Sequence, residues 1–325
     1  MTAMLLPDLQ SIETAADVVY RAMPPTPQYR WALSSRRLGT HCWLKHENHT
    51  PVGAFKIRGG LTFFDDLRQR DALPRAVISA TRGNHGQSVA WSARAHGVAC
   101  TIVVPYGNSV EKNAAMRALG AELVEHGDDF QASREHALAL AEQTGAMMVP
   151  SFHAALVRGV ATYWWEFLRA VPQLDIVYVP IGLGSGICGA IAARRALQHP
   201  VRIVGVVSSH ATTVADSLQA GLVVAAPVTT VLADGMACRI AEQDALDTLA
   251  RELDHVVRVS DAEVAQAMRD VFADTHNVAE GAGAAGFAAA MQECDAIRGL
   301  VAGTVLSGGN VDGAVLAQVL GGAWA

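Results

Sequence analysis

The chain has 325 residues, of which 51% are hydrophobic, 6% aromatic and 17% charged. That apolar fraction is too high for a disordered segment or a disulfide-stapled mini-protein, and the length suits two domains or one large one. With 25 Lys+Arg against 31 Asp+Glu the net charge is −6, and no basic run stands out, which argues against a binder of nucleic-acid backbones.

Taken in chain order, β-branched runs alternate with Ala-rich amphipathic segments. Strands are predicted over 41–47, 76–80, 100–104, 121–125, 175–179, 201–207, 255–259 and 301–306. Helical periodicity is predicted over 56–71, 84–96, 109–119, 130–144, 155–170, 186–198, 261–275 and 280–294. Strand–helix alternation at this spacing predicts an α/β fold, with parallel sheets covered by helices on both faces. Pro24, Pro25 and Pro27 mark a stiff surface segment. The longest apolar stretches, 221–228 and 284–291, fall short of the roughly 18 residues of a membrane span. Residues 1–10 have no positively charged start, so no secretory signal is expected. The cysteines Cys42, Cys100, Cys188, Cys238 and Cys294 form no CxxC pair, so neither a zinc site nor a disulfide framework is expected, and a reducing cytoplasm is the expected compartment.

Four loops stand where strands hand over to helices, the place where ligands bind in such folds. In the first, Pro51 and Gly53 make a turn, and Lys56 opens the next helix between Phe55 and Ile57. A lysine between apolar neighbours risks burial, which lowers its pKa and frees the amine; the bland alternative is an amine that snorkels to water. The second loop, Thr81-Arg82-Gly83-Asn84-His85-Gly86-Gln87, leads into a helix whose free N–H groups can hold a carboxylate, or is simply an Asn-capped helix start. The third carries Gly182, Leu183, Gly184, Ser185 and Gly186, alternate glycines that suit a phosphate cup but match neither GxGxxG nor a P-loop. The fourth, Ser307-Gly308-Gly309-Asn310, would offer the Ser307 hydroxyl to a heterocyclic nitrogen, though a tight turn explains its glycines equally well.

Together a lysine, a phosphate cup, a carboxylate-binding helix end and a ring-nitrogen partner are what pyridoxal phosphate requires. Only Lys45, Lys56 and Lys112 compete for the lysine role. Lys45, beside His46 and Glu47 in a strand, is expected to be charge-paired. Lys112, after Glu111 in a polar first helical turn, is expected to be solvated. Lys56 alone has a turn before it and an apolar shell around it.

Over nearly its whole length, in residues 45–60, 82–87, 180–189 and 307–312, the chain resembles the serine/threonine dehydratase and serine racemase family of fold type II pyridoxal-phosphate enzymes. The resemblance implies that Lys56 is the Schiff-base lysine, with Phe55 and Asn84 against the cofactor, Gly182, Leu183, Gly184, Ser185 and Gly186 on its phosphate, and Ser307 at its ring nitrogen. Thr81, Arg82, Gly83, Asn84 and His85 would hold the substrate carboxylate. It implies a discontinuous large domain (1–74 and 155–325), a small mobile domain (75–154), and an assembly of two or more copies.

The departures from the family pattern are specific. Leu183 and Ser185 interrupt the usual glycines, which backbone N–H donors tolerate. Arg82 stands where the family has Ser or Ala; in the racemases that serine is the second acid/base, and arginine is a poor base at neutral pH. Val207 and Thr213 occupy the positions of the racemases' cation-binding carboxylates, with Asp216 nearby, so no metal is expected. The chain ends at Ala325 without the regulatory domain of the biosynthetic threonine enzymes, so feedback control of that kind is not expected. His41, His46 and His49 should be split between strand faces, Trp164 and Trp165 belong to core or interface, and Glu280 is either a cofactor neighbour or a helix-start acid. The resulting expectation is α,β-elimination from a 3-hydroxy L-amino acid of threonine or serine type, giving a 2-oxo acid and ammonia. A lyase for a larger substrate (3-hydroxyaspartate or phenylserine), a racemase, a β-replacing synthase and a non-enzymatic binding protein are the alternatives.

Overall fold

Short apolar runs become strands because helices cover them on both sides, and the computed structural model, which describes residues 4–324, arranges ten of them in two sheets. They are β1 Gln28–Arg30, β2 His41–His46, β3 Ala76–Ala80, β4 Ala99–Val104, β5 Glu122–Glu125, β6 Met147–Met148, β7 Ile176–Pro180, β8 Arg202–Ser208, β9 Val256–Val259 and β10 Val301–Leu306. The larger sheet has the order β1-β2-β10-β7-β8-β9 and the smaller β5-β4-β3-β6. Residues 76–148 supply the smaller sheet, inside the chain that builds the larger, so this is an α/β fold with the smaller parallel-sheet unit inserted in the larger.

Strand alternation explains the cores. In β7, Ile176 and Tyr178 face one apolar cluster while Val177 and Val179 face another; β8 splits Val204 and Val206 from Ile203 and Val207 in the same way. The helices Asp261–Thr275 and Gly281–Gln292 close the first face, and Ala154–Ala170 with Ser185–Ala196 close the second. Strands buried on both faces need no polar alternation, which is why they read as continuous apolar runs.

Every strand pair is parallel except β1–β2, where Gln28 pairs with Lys45 and Arg30 with Trp43. This antiparallel edge departs from the all-parallel expectation. Three residues follow the proline segment and a short helix, Ala32–Leu38, turns the chain back, a span too short for a right-handed crossover. No helix among the described residues is long and apolar enough to cross a membrane.

Candidate active site

The four loops meet because their backbones are tied together. Phe55 N donates to Ser307 O at 3.0 Å, Gly309 N to Gly53 O at 2.9 Å, and Glu280 N to Gly308 O at 3.0 Å. The Asn310 amide donates at 2.8 Å both to Val52 O and to the Asn84 side-chain oxygen, which joins the first, second and fourth loops. Lys56 Nζ closes the ring by donating to Ser185 Oγ at 2.9 Å. A single cavity is lined by all thirteen candidate residues: Phe55 and Lys56 from the first loop; Thr81, Arg82, Gly83, Asn84 and His85 from the second; Gly182, Leu183, Gly184, Ser185 and Gly186 from the third; Ser307 from the fourth.

Four helices begin at this cavity: Lys56–Gln69, Asn84–Ala95, Ser185–Ala196 and Gly281–Gln292. None is closed by the side chain of its own cap residue; elsewhere Asp8, Ser109, Asp129, His153 and Ser260 close their helices, while the helices Ala32–Leu38, Thr213–Ala220, Gln243–Glu252 and Gly313–Leu320 also start without such a cap. First-turn N–H groups must find acceptors, so uncapped ends converging on one cavity call for anions. At the third loop Gly184 has φ +106°, a conformation that favours glycine, and a Cβ at Gly182 would press on the Gly235 carbonyl at 2.5 Å. The second loop is braced from within by Thr81 Oγ1, which accepts from Gly83 N at 2.9 Å and Gly86 N at 3.3 Å.

Lys56 is half-buried, and its desolvation lowers its pKa to about 8, with no carboxylate near enough to restore it. His85 is lowered to about 3, first by burial and then by the charge of Lys56, so its ring is neutral; its Nε2 is buried without a partner. The Ser307 hydroxyl reaches only the Ala282 carbonyl, at 3.5 Å, and stays available at the cavity wall. An amine held nucleophilic, an uncapped helix end opposite it and a neutral hydroxyl at a strand end form the donor set for an aldehyde that carries a phosphate and a ring nitrogen. The residues present therefore fit pyridoxal phosphate.

Two sequence expectations need correction. Lys112 is not solvated: its Nζ pairs with Asp234 at 2.7 Å and Glu280 at 3.1 Å, and its side chain lies against Gly83, where a Cβ would collide with it. Burial pulls its pKa down, but the two carboxylates outweigh that and leave it raised. Its carboxylate partners are 122 and 168 residues away, a pairing that no local pattern announces. Lys45 is charge-paired as expected, its partner being Glu166 at 2.5 Å. His46 and His49 are not split: His46 ends β2, the chain turns through Glu47–His49, and the two rings come within 4.9 Å, while His46 Nε2 accepts from Trp31. Glu280, left open between two roles, lines the cavity and accepts from the Asn84 amide. Asp234 and Cys238, which the sequence did not single out, also line it. Asp216 is engaged by Arg258 at 2.8 Å and Thr212 at 2.6 Å.

A family model described as pyridoxal-phosphate dependent enzyme matches residues 19–308. An L-threonine ammonia-lyase of Geobacter sulfurreducens is 38% identical over 281 residues, covering 86% of this chain and 69% of that protein. An L-threonine ammonia-lyase of Thermotoga maritima is 31% identical over 305 residues, covering 94% and 76%. The solved structure of maize serine racemase superposes with a TM-score of 0.89 at 26% identity, covering 98% of each chain.

Proposed function

The chain belongs to the family of pyridoxal-phosphate dependent enzymes, and from that premise we propose that it is a lyase converting a 3-hydroxy L-amino acid of the threonine or serine type to a 2-oxo acid and ammonia by α,β-elimination. The protein takes pyridoxal phosphate as its cofactor and is a lyase of the ammonia-releasing kind. The observation that carries the assignment is the Lys56 amine: half-buried, unpaired with any carboxylate, and bonded to Ser185 at the uncapped helix start.

In this reading the amides and hydroxyl of 182–186 hold the cofactor phosphate, Asn84 and Phe55 flank its ring, and Ser307 meets the ring nitrogen as a neutral partner. When bound, the cofactor supplies an electron sink for the bond broken at the substrate α-carbon. The loop Thr81 to His85, braced by Thr81 Oγ1 on Gly83 N and Gly86 N, receives the substrate carboxylate on its remaining N–H groups. The amine of Lys56, already easy to deprotonate at neutral pH, takes the α-proton. His85 stays neutral beside it and neither competes for that proton nor repels the charge that forms. The β-hydroxyl departs as water, and the enamine released hydrolyses to the 2-oxo acid and ammonia. Arg82 is no second base, so elimination is favoured over racemisation within the same scaffold.

The same reading divides the chain into a large domain (1–74 and 155–325) and a mobile small one (75–154), and assigns it an assembly of two or more copies. Borohydride reduction of the purified holoenzyme followed by peptide mapping tests the lysine: the pyridoxyl label is expected on Lys56, and Lys56→Ala should lose both the label and 2-oxo acid release from threonine and serine. A label on Lys45 or Lys112 would overturn the assignment.

A further inference from the structure

The charged residues lining the cavity are Lys56, Arg82, Lys112, Asp234 and Glu280. Two of the three cations have uses already: Lys112 is matched by Asp234 and Glu280, and Lys56 is the reactive amine. Arg82 is the remainder. Among the described residues its guanidinium makes no ion pair and no hydrogen bond, and its Nε is buried without a partner. A half-buried arginine left this way is unusual, because its planar fork is suited to bidentate pairing and its desolvation is otherwise uncompensated.

The side chain also stays at the cavity. Arg82 forms part of the wall shared with a second, adjoining cavity, together with Lys112, Asp234 and Glu280. The buried thiol of Cys238, which lines the same cavity beside Gly182, is raised by burial but feels the lowering charges of both Lys56 and Arg82. The guanidinium thus lies within electrostatic reach of the part of the cavity where Lys56 works. The substrate α-carboxylate has its own donors in the backbone N–H groups of the loop at Arg82, Asn84 and His85, so it does not require the Arg82 side chain.

Resting on the lyase reading above, we infer that Arg82 binds a second carboxylate, on the β-carbon side of the substrate, and that the preferred substrate is an acidic 3-hydroxy amino acid such as 3-hydroxyaspartate. The chemistry balances without any added reactant. The Cα–H and Cβ–O bonds break and water leaves; the enamine then takes water back and releases ammonia, so that 3-hydroxyaspartate becomes oxaloacetate and ammonia.

Two measurements test this separately from the lyase assignment. The first is steady-state 2-oxo acid release from 3-hydroxyaspartate, threonine, serine and phenylserine by the wild-type holoenzyme, Arg82→Ser and Arg82→Lys. The wild type should favour 3-hydroxyaspartate, and the ratio of its kcat/KM to that of threonine should fall about 10–100-fold in Arg82→Ser, with partial retention in Arg82→Lys. The second is calorimetric binding of L-aspartate and L-alanine, neither of which has a β-hydroxyl to lose. L-Aspartate should bind the wild type more tightly than L-alanine, and Arg82→Ser should erase that difference. A wild type that prefers threonine or phenylserine overturns the inference. So do equal losses on all four substrates, which would assign Arg82 to the α-carboxylate or to loop structure. If no substrate yields a 2-oxo acid, the lyase reading fails, and the aspartate-to-alanine binding ratio still decides the role of Arg82.

Discussion

Lys56 shows how position sets chemistry at the scale of one residue. Its amine has a hydroxyl for company rather than a carboxylate, so burial acts on it without opposition and brings its pKa from 10.5 to about 8. The consequence for stability has a definite sign. Below about pH 8 the folded chain must hold a partly desolvated ammonium, while above about pH 10.5 the amine is neutral in folded and unfolded chains alike. The destabilisation is therefore full at the lower pH and gone at the higher. In protein stripped of cofactor, Lys56→Met should raise stability at pH 7 by on the order of 1–3 kcal/mol, with the gain fading as pH rises towards 10.5. Thermal unfolding of both forms across that range checks it; a gain that stays constant with pH would show that packing, not charge, is responsible. Lys112 is the opposite case, more deeply buried but matched by two carboxylates and so held as an ammonium. Two lysines of one cavity are thereby separated into a reactive amine and a fixed cation.

At the scale of elements, the helix Lys56–Gln69 is seated by a buried polar cluster two residues into its first turn. Arg58 pairs with Glu47 at 2.8 Å and Glu166 at 2.6 Å, and Lys45 pairs with Glu166 at 2.5 Å, all out of solvent. The two cations and two carboxylates cancel, while Thr162 and Tyr20 occupy further positions around them. This ties Lys56 to β2 on one side and the helix Ala154–Ala170 on the other, so the amine is presented by rigid elements rather than by a loop alone. Arg58→Met should cost about 3–5 kcal/mol, because it leaves Glu47 and Glu166 with Lys45 as their only cation. Denaturant unfolding measures this, and a loss below about 1 kcal/mol would mean that water or rearrangement takes the place of the guanidinium.

The same elements show what could be read before folding. The runs 76–80 and 301–306 were legible as strands to the residue, because apolar content ends sharply at a polar or glycine turn. β1 and β6, three and two residues long, have too few positions to show any period. The helices Thr213–Ala220 and Gly313–Leu320 span barely two turns and escaped for the same reason. At the site, loop chemistry announced Lys56, the residues 81–85 and 182–186, and Ser307. The burial of Lys112 was not legible, since Asp234 and Glu280 come close only when the two sheets are brought together.

At the scale of the whole molecule, the two sheets meet along a seam whose two sides differ in chemistry. Behind the cavity, Phe63, Phe64, Leu67, Val89, Ala93 and Leu156 pack the helices Lys56–Gln69, Asn84–Ala95 and Ala154–Ala170 into one apolar cluster. At the mouth the contacts are polar: Lys112 with Asp234 and Glu280, Ser109 with Asp312, Arg239 with Asp129 at 3.0 Å, and Arg134 with Glu242 at 3.4 Å. The more exposed of these, Arg239 with Asp129 and Arg134 with Glu242, contribute about 0–1 kcal/mol each and weaken in salt, whereas the apolar back is insensitive to it. Motion is therefore expected to hinge at the back and open at the mouth, and the carboxylate-binding loop would travel with the smaller sheet. Spin labels at the exposed positions Leu138 and Leu222, one on each side of the seam, report the distance directly, with Cys294→Ser removing the least buried native thiol. The distribution should broaden to longer distances between 0.1 M and 1 M salt, where the screening length falls from about 10 Å to about 3 Å. Saturating L-aspartate should shorten and narrow it, because an acidic ligand bridges Arg82 and the 81–85 loop to the larger sheet across the opening. A distribution unmoved by either salt or ligand would make the seam rigid and leave substrate entry to side-chain motion alone.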